Sequence, residues 1–303
     1  MFIYTDLVKQ FTCQMCGQCC RNQWQVTLDP ASYQRNEMLF SSTGRKAEFD
    51  QAFVRLNEQA GYGEYAYIAK QAGGGCWFLD NSNRCLLHKE AGHSHLDAVC
   101  QTFPRYPMST SRGIELTLSF SCPAVLKLAD RNEPLTIVKA DQQPIDFVEN
   151  NYAVEVYPGQ QSPRKPLYYY FELETHFIDI LQCRNMPFDD RLAFLGDTIK
   201  AVTALPQDET IGRELTTIFN RNYDWLEGLA AAHTPLLLGA GAGLLENFFV
   251  NFVFKKPFYV YGFAKTFDLL LYMWQQIVGA DDSAKAIMKL EFQYGHDRQA
   301  LWR

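Results

Sequence analysis

The sequence predicts an α+β fold, a cysteine-rich, metal-binding N-terminal region followed by a mainly α-helical C-terminal region. Three observations carry that reading. Eight of the nine cysteines fall between Cys13 and Cys122, and only Cys183 lies beyond. Short apolar runs bounded by turn residues occur in the first half, whereas the second half repeats apolar residues at spacings of three and four. Between them, residues 132–165 carry Pro134, Pro144, Pro158, Gly159 and Pro163 with no sustained helical period, which places a domain boundary there. The expected division is 1–150 for the cysteine domain and 151–303 for the helical domain.

Taken in order, the first region opens on a cysteine loop over 13–20, then a short strand over 25–28. Helices follow from Pro30 and over 45–59. Residues 76–79 and 84–87 read as two strands around the polar turn Asp80-Asn81-Ser82-Asn83, a hairpin that brings Cys76 and Cys85 together. A further strand over 114–120 ends at Ser121-Cys122-Pro123, and a short one covers 135–138. In the second region the period marks helices over 168–181, 192–205, 211–229, 244–254 and 267–277, which together read as a bundle. There is no internal repeat and no low-complexity segment.

Composition narrows the classes of function. With 303 residues and 47% hydrophobic content the chain can bury a core without crosslinks. Its 28 basic and 34 acidic residues leave a formal charge of -6, which argues against a broad nucleic-acid or anionic-membrane surface. The first residues lack the basic, apolar and small-residue regions of a secretory signal, so a cytoplasmic location is expected. In that reducing compartment an odd number of cysteines points to metal ligation rather than disulfides. The run 236–254 has the length of a membrane span, but Glu246, Asn247 and Asn251 interrupt it at a cost that favours a buried helix with local polar partners.

The strongest motif is Cys13-Gln-Met-Cys16-Gly17-Gln18-Cys19-Cys20. Two-residue gaps let successive thiolates turn toward one centre, and Gly17 relaxes the backbone between them. The C-x2-C-x2-C order matches the opening of a bacterial ferredoxin-type run, and Cys122-Pro123 repeats its Cys-Pro ending at a distance. An iron-sulfur cluster, of the 4Fe-4S type, is the leading expectation; zinc held by four of the same thiolates is the alternative. The candidate ligands are Cys13, Cys16, Cys19, Cys20, Cys76, Cys85, Cys100 and Cys122. Neighbouring side chains diverge, so Cys19 and Cys20 are not expected to ligate one metal in the same way, and the later four complete one cluster or form a second site. Cys183 reads as an ordinary core cysteine. His88, His93 and His95 read as a solvent-exposed loop, with imidazole ligation as the alternative.

Several segments together carry a resemblance. They are Phe11-x-Cys13-x-x-Cys16-Gly17-x-Cys19-Cys20 with Trp24; Cys76-x-Phe78-Leu79-Asp80 and Cys85 with Lys89-Glu90-x-Gly92; Leu96-x-x-x-Cys100-x-x-x-Pro104-Arg105, read as a helix; and Ser121-Cys122-Pro123. These resemble the flagellin lysine N-methylase family, itself related to the broader zinc- or iron-chelating cysteine-cluster proteins. Leu245-Glu246-Asn247-Phe248-x-Val250-Asn251 is similar to a segment of the methylases and extends the resemblance over most of the chain. It implies transfer of methyl groups from S-adenosylmethionine to lysine side chains of a protein, flagellin where one exists, with an iron-sulfur cluster held by the cysteines.

No Gly-x-Gly motif stands between a predicted strand and helix, and the cysteines lack the C-x3-C-x2-C spacing of the usual radical S-adenosylmethionine enzymes, so the donor site is of a less familiar kind. A lysine must lose its proton before methylation, which makes Glu246 and Tyr152 acceptors by chemistry alone. Arg105 is either part of a rigid helix exit or a partner for a carboxylate or a cluster's negative charge. Two readings from other classes remain beside the enzyme: a non-catalytic zinc- or iron-binding module in electron transfer or metal handling, and a structural cysteine knot with a helical partner-binding surface.

Overall fold

The computed structural model describes residues 1–22, 24–56, 64–145, 152–239 and 241–295. Among them eight strands run in chain order: β1 (Phe2–Thr5), β2 (Thr27–Leu28), β3 (Phe53–Arg55), β4 (Ala66–Ile68), β5 (Arg105–Thr110), β6 (Gly113–Leu118), β7 (Ile137–Ala140) and β8 (Val154–Val156). The first seven α-helices are α1 (Leu7–Gln10), α2 (Gln18–Arg21), α3 (Pro30–Ser42), α4 (Lys46–Ala52), α5 (Leu86–Ala91), α6 (Ala98–Thr102) and α7 (Pro123–Ala129). Seven more follow: α8 (Tyr170–Leu181), α9 (Phe188–Thr203), α10 (Ile211–Ala232), α11 (Ala242–Phe254), α12 (Pro257–Tyr261), α13 (Phe263–Val278) and α14 (Ser283–Gly295). The fold is α+β, with helix predominating in the second half.

The chain forms two compact units, but not as a first and a second half. The smaller unit is Thr12–Phe103; the larger takes Met1–Phe11, Pro104–Ile145 and the chain from Tyr152 onward. Strand pairing is the cause. β1 pairs in parallel with β6, Phe2 opposite Ile114, and antiparallel with β7, so the first residues belong with a sheet formed more than a hundred residues later. Composition does not register such a long-range pairing, which is why it placed the boundary near residue 150.

In the larger unit the sheet order is β7-β1-β6-β5-β8. β5 and β6 form a hairpin, and its Gly113, at φ +124°, leaves no room for a side chain: a Cβ there would sit 2.2 Å from the Met1 carbonyl oxygen. The Pro104-Arg105-Tyr106-Pro107 stretch, read as a helix exit, is the start of β5, and the Arg105 guanidinium lies 5.7 Å from the centre of the Phe11 ring.

Helix α11 is buried along nearly its whole length and packs on α7, α8 and β6. Its buried polar residues Glu246, Asn247 and Asn251 are all partnered, as burial in a packed core requires. The Asn247 side chain accepts from the Leu135 N–H at 2.8 Å and donates to the Ala129 carbonyl at 2.9 Å; Asn251 donates to the Leu118 carbonyl at 3.1 Å and bonds the Thr117 hydroxyl. Glu246 accepts from Arg184 at 2.7 Å and from the buried Arg191 at 2.6 Å. Among the described residues no helix is long and apolar enough to cross a membrane.

A second buried polar group joins α8, α9 and α10. The Asn222 amide bridges the His176 Nε2 at 3.0 Å and the Thr198 hydroxyl at 2.9 Å, while His176 Nδ1 is buried without a partner. Burial pushes the His176 pKa down to about 4. Because the folded value lies below the free value of about 6.5, the unfolded chain binds the proton first. The His176 contribution to stability is therefore present above pH 6.5 and falls by about 1.4 kcal/mol per unit down to pH 4. The neighbouring Asp179, raised by burial and bonded to Tyr223, has the opposite slope, so the comparison must be with His176→Gln. The expected result is a shallower loss of stability for the variant between pH 6.5 and 4 in denaturant titrations; parallel curves would refute it.

The smaller unit has a three-stranded sheet, β2-β4-β3, against an aromatic core in which Phe40, Phe49, Phe53 and Phe78 meet ring to ring. α3 begins where its sequence says it should: Pro30 stands at the first turn and the Asp29 carboxylate caps the Ser32 N–H at 2.7 Å. The helix expected over 45–59 stops at Ala52 because Phe53 enters β3 and its ring is drawn into the core; residues 57–59 lie outside the described residues.

Candidate metal centre

Four segments of the smaller unit supply its cysteines: the arm 13–16, α2, the 76–85 turn and α6. Along the arm Met15 and Gly17 both adopt left-handed backbone, φ +48° and +71°, and this turns the chain back on itself. A side chain at residue 17 would also stand 3.0 Å from Asn83 Cβ, so the glycine is needed twice over. Gly17 opens α2, which carries Cys19 and Cys20. The Arg21 guanidinium then bonds the Asn83 side chain and ties the helix to the 76–85 turn. The Cys76 N–H donates to the Cys20 carbonyl at 2.7 Å, a second tie between the same two segments.

The 76–85 segment is not the expected pair of strands. Its two runs meet at one bridge, Leu79 to Cys85, while Cys76 bridges Lys70 instead, and the Asp80 carboxylate accepts from the Ser82 and Arg84 N–H groups at 2.8 Å; α5 begins directly after Cys85. An aspartate whose carboxylate takes two backbone N–H groups of the same turn favours a compact turn over a ladder. Cys76 and Cys85 still share one packed cluster, Cys76 buried within it and Cys85 against it.

Five thiols share this side of the core. Cys76 belongs to the buried cluster, and Cys20, Cys85 and Cys100 pack against it. The Cys19 and Cys20 sulfurs lie 3.9 Å apart, and sharing a hydrogen holds Cys19 down to about 7 while the Cys20 thiol is pushed up. Burial raises Cys76 to about 11 and moves Cys85 and Cys100 upward too. Buried thiols that stay protonated on their own are ionised by a cation placed among them. Among the described residues, no three Cys, His, Asp or Glu side chains converge at metal-ligand distances.

A carboxylate lies in the same place. Asp97 is buried, and neither of its oxygens has a hydrogen-bond partner; it precedes α6 but does not cap it. It acts on Cys76, Cys85 and Cys100, and burial raises it to about 7. An orphaned buried carboxylate beside three thiols fits a cation better than it fits a closed core. Sequence reasoning passed over Asp97, an unremarked position in the segment read as a helix from Leu96; its burial and its missing partners are visible only in three dimensions.

The other candidates are placed as follows. Cys13 and Cys16 are exposed on the arm, and the Met15 N–H donates to the Cys13 sulfur at 3.4 Å. Cys122 is buried in the larger unit at the N-cap of α7. Cys183 lies just past the end of α8 rather than on a helix. His88 and His93 are ring neighbours, with centroids 5.7 Å apart, while His95 Nε2 is buried without a partner on the loop that leads to Asp97. The segment expected to be helical from Leu96 to Arg105 is helical only over α6. Glu246 is saturated by its two arginines and loses its place as a proton acceptor.

Residues 12–123 match the model of the CxxCxxCC family, described as "Putative zinc- or iron-chelating domain". Over 158 residues, 51% of this chain and 38% of the relative, the chain is 25% identical to a protein named Lysine-N-methylase from Salmonella typhimurium. It is 27% identical over 120 residues, 39% of this chain and 70% of the relative, to one named Flagellar biosynthetic protein FliU from Salmonella muenchen. The match thus spans well under half the length of the lysine-N-methylase. No solved structure matches.

Proposed function

We propose that this chain is a metal-dependent protein-lysine N-methylase whose smaller unit holds an iron-sulfur cluster, of the 4Fe-4S type, and whose methyl donor is S-adenosylmethionine. The observation that carries the metal site is the gathering of Cys20, Cys76, Cys85 and Cys100 from three separate segments, with Cys19 against Cys20 and the unpartnered carboxylate of Asp97 beside Cys76, Cys85 and Cys100. Cys13 and Cys16 on the adjoining arm and Cys122 complete the candidate ligand set by motif. Soft thiolates select iron-sulfur clusters or zinc over hard cations. The cluster, when bound, supplies one-electron transfer in a partly desolvated setting. The reaction rests on the relatives named Lysine-N-methylase, and the protein substrate, of flagellin type, on those names together with the flagellar one.

The test begins with iron, zinc and acid-labile sulfide in protein purified without oxygen, with its visible spectrum. It continues with mass spectrometry of candidate proteins incubated with the reduced enzyme and S-adenosylmethionine. Iron with matching sulfide and added methyl groups on lysine is the expected result. Zinc without sulfide, and no methyl transfer, would replace the proposal with a non-catalytic metal-binding module.

A further inference from the structure

In the larger unit a pocket of about 200 Å³ opens beside the sheet edge formed by β8. Its walls are mostly aromatic and apolar, with Tyr106, Phe252, Val260, Tyr261 and Tyr294 among them. At its base Lys255 and Glu291, both buried, form an ion pair, and the Ser119 hydroxyl donates to the same Glu291 oxygen at 3.0 Å. Lys255 also lies 4.8 Å from the centre of the Tyr106 ring. Glu155, exposed on β8, adds a carboxylate to the wall.

The charges decide what the pocket prefers. Lys255 and Glu291 cancel, which leaves Glu155 uncompensated among the lining residues. A surplus carboxylate and tyrosine ring faces both attract a cation, and an ammonium over a ring gains most where water is excluded. The protein's own Lys255 already shows the arrangement: an ammonium held between a ring face and a carboxylate. Size decides the rest. Pockets for drug-sized ligands run from about 300 to 1,000 Å³, so this one is too small to enclose a nucleoside-bearing methyl donor but suits an alkylammonium.

We infer that this pocket receives the ammonium end of a lysine side chain from a protein substrate, together with its methylated forms. Glu155 is the charge partner, the tyrosines are the walls, and the Lys255–Glu291 pair is a neutral floor. The inference rests on the methylase reading and names where that enzyme's substrate side chain goes.

The experiment is a binding titration by NMR with a short blocked peptide carrying one central lysine, compared with its Nε-trimethyl and Nε-acetyl forms. The lysine and trimethyllysine peptides are expected to bind saturably, and the neutral acetyl form about ten-fold more weakly or worse. Substituting Glu291 leaves Lys255 buried and unpaired, so the variants chosen are Val260→Trp, which fills the pocket from a partly exposed position, and Glu155→Lys, on an exposed one. Each is expected to weaken lysine-peptide binding about ten-fold with metal content and melting temperature unchanged. Equal binding of the acetyl form, no binding of the lysine form, or wild-type binding by both variants overturns the inference. Amine-selective binding without methyl transfer would sustain the pocket and remove the methylase reading. Full methyl transfer by Val260→Trp would sustain the methylase and remove the pocket.

Discussion

Serine in place of Cys19, Cys76 or Cys100 is expected to remove the metal, and with it the ordered packing of the cysteine segments. Structural metal sites contribute on the order of 10 kcal/mol or more of apparent binding free energy to their folded domains. In this chain the thiol-bearing segments carry little regular structure of their own. The arm 13–16 has no regular structure, α2 and α6 are short, and the 76–85 turn has only isolated bridges, Lys70 to Cys76 and Leu79 to Cys85. The aromatic part of the smaller unit is different, because Phe40, Phe49 and Phe53, which lie outside the thiol-bearing segments, meet ring to ring. Hydrogen exchange should therefore rise over 13–22 and 76–100 in the variants while β3 and β4 stay protected. Metal analysis supplies the primary reading, and full metal content in all three variants would refute the ligand assignment. Serine at Cys13 and Cys16 asks a separate question: loss of metal there means that the exposed arm closes over the thiols when the metal binds.

Lys256→Met is expected to cost the larger unit roughly 3–5 kcal/mol, the usual penalty for removing one partner of a buried ion pair. Lys256 is fully buried at the junction of α11 and α12, with its ammonium 2.7 Å from Glu115 and 2.5 Å from Glu174. Arg112 closes the group by pairing with both carboxylates at 2.9 Å while its guanidinium lies 3.7 Å from the centre of the Phe171 ring. Two cations balance two anions, so removing Lys256 strands a negative charge in the core. The backbone at Lys256 is left-handed, at φ +71°, a conformation that a non-glycine residue holds only when its surroundings impose it. Adding Glu174→Gln to Lys256→Met restores neutrality and is expected to recover part of the loss. Thermal melts of both variants test this; a shift of roughly 10 °C for the single variant follows from the size of the unit. A double variant no more stable than the single one would show that packing, not charge, dominates.

Much of this fold was legible in the sequence wherever the information is local. The five helices of the second half stand near their expected positions because a 3.6-residue apolar period reports directly on a buried face. Asp29-Pro30 announced α3 through its cap. Among the segments that were not anticipated, β1 and β8 are three or four residues long and acquire their stability from distant strands, while α12 is a single turn and α14 has a broken apolar pattern. Glu246 shows what folding adds to the partners that its place in an apolar helix led one to expect. A carboxylate in an apolar helix calls for a partner, and only the folded chain reveals Arg184 and Arg191 against it.

The sequence by itself determined the chemistry available to this protein. Soft thiolates at C-x2-C-x2-C spacing specify a metal-binding loop because ligand type and the short gaps between ligands are properties of consecutive residues. Tertiary structure decided which groups meet. It brought Cys20, Cys76, Cys85 and Cys100 together with Asp97, joined the first strand to a sheet beginning beyond residue 100, and set Lys255 against Glu291 across 36 residues of chain. Each of these depends on long-range pairing and on the burial of charges that only a folded core can desolvate, and neither is written in any short stretch of residues.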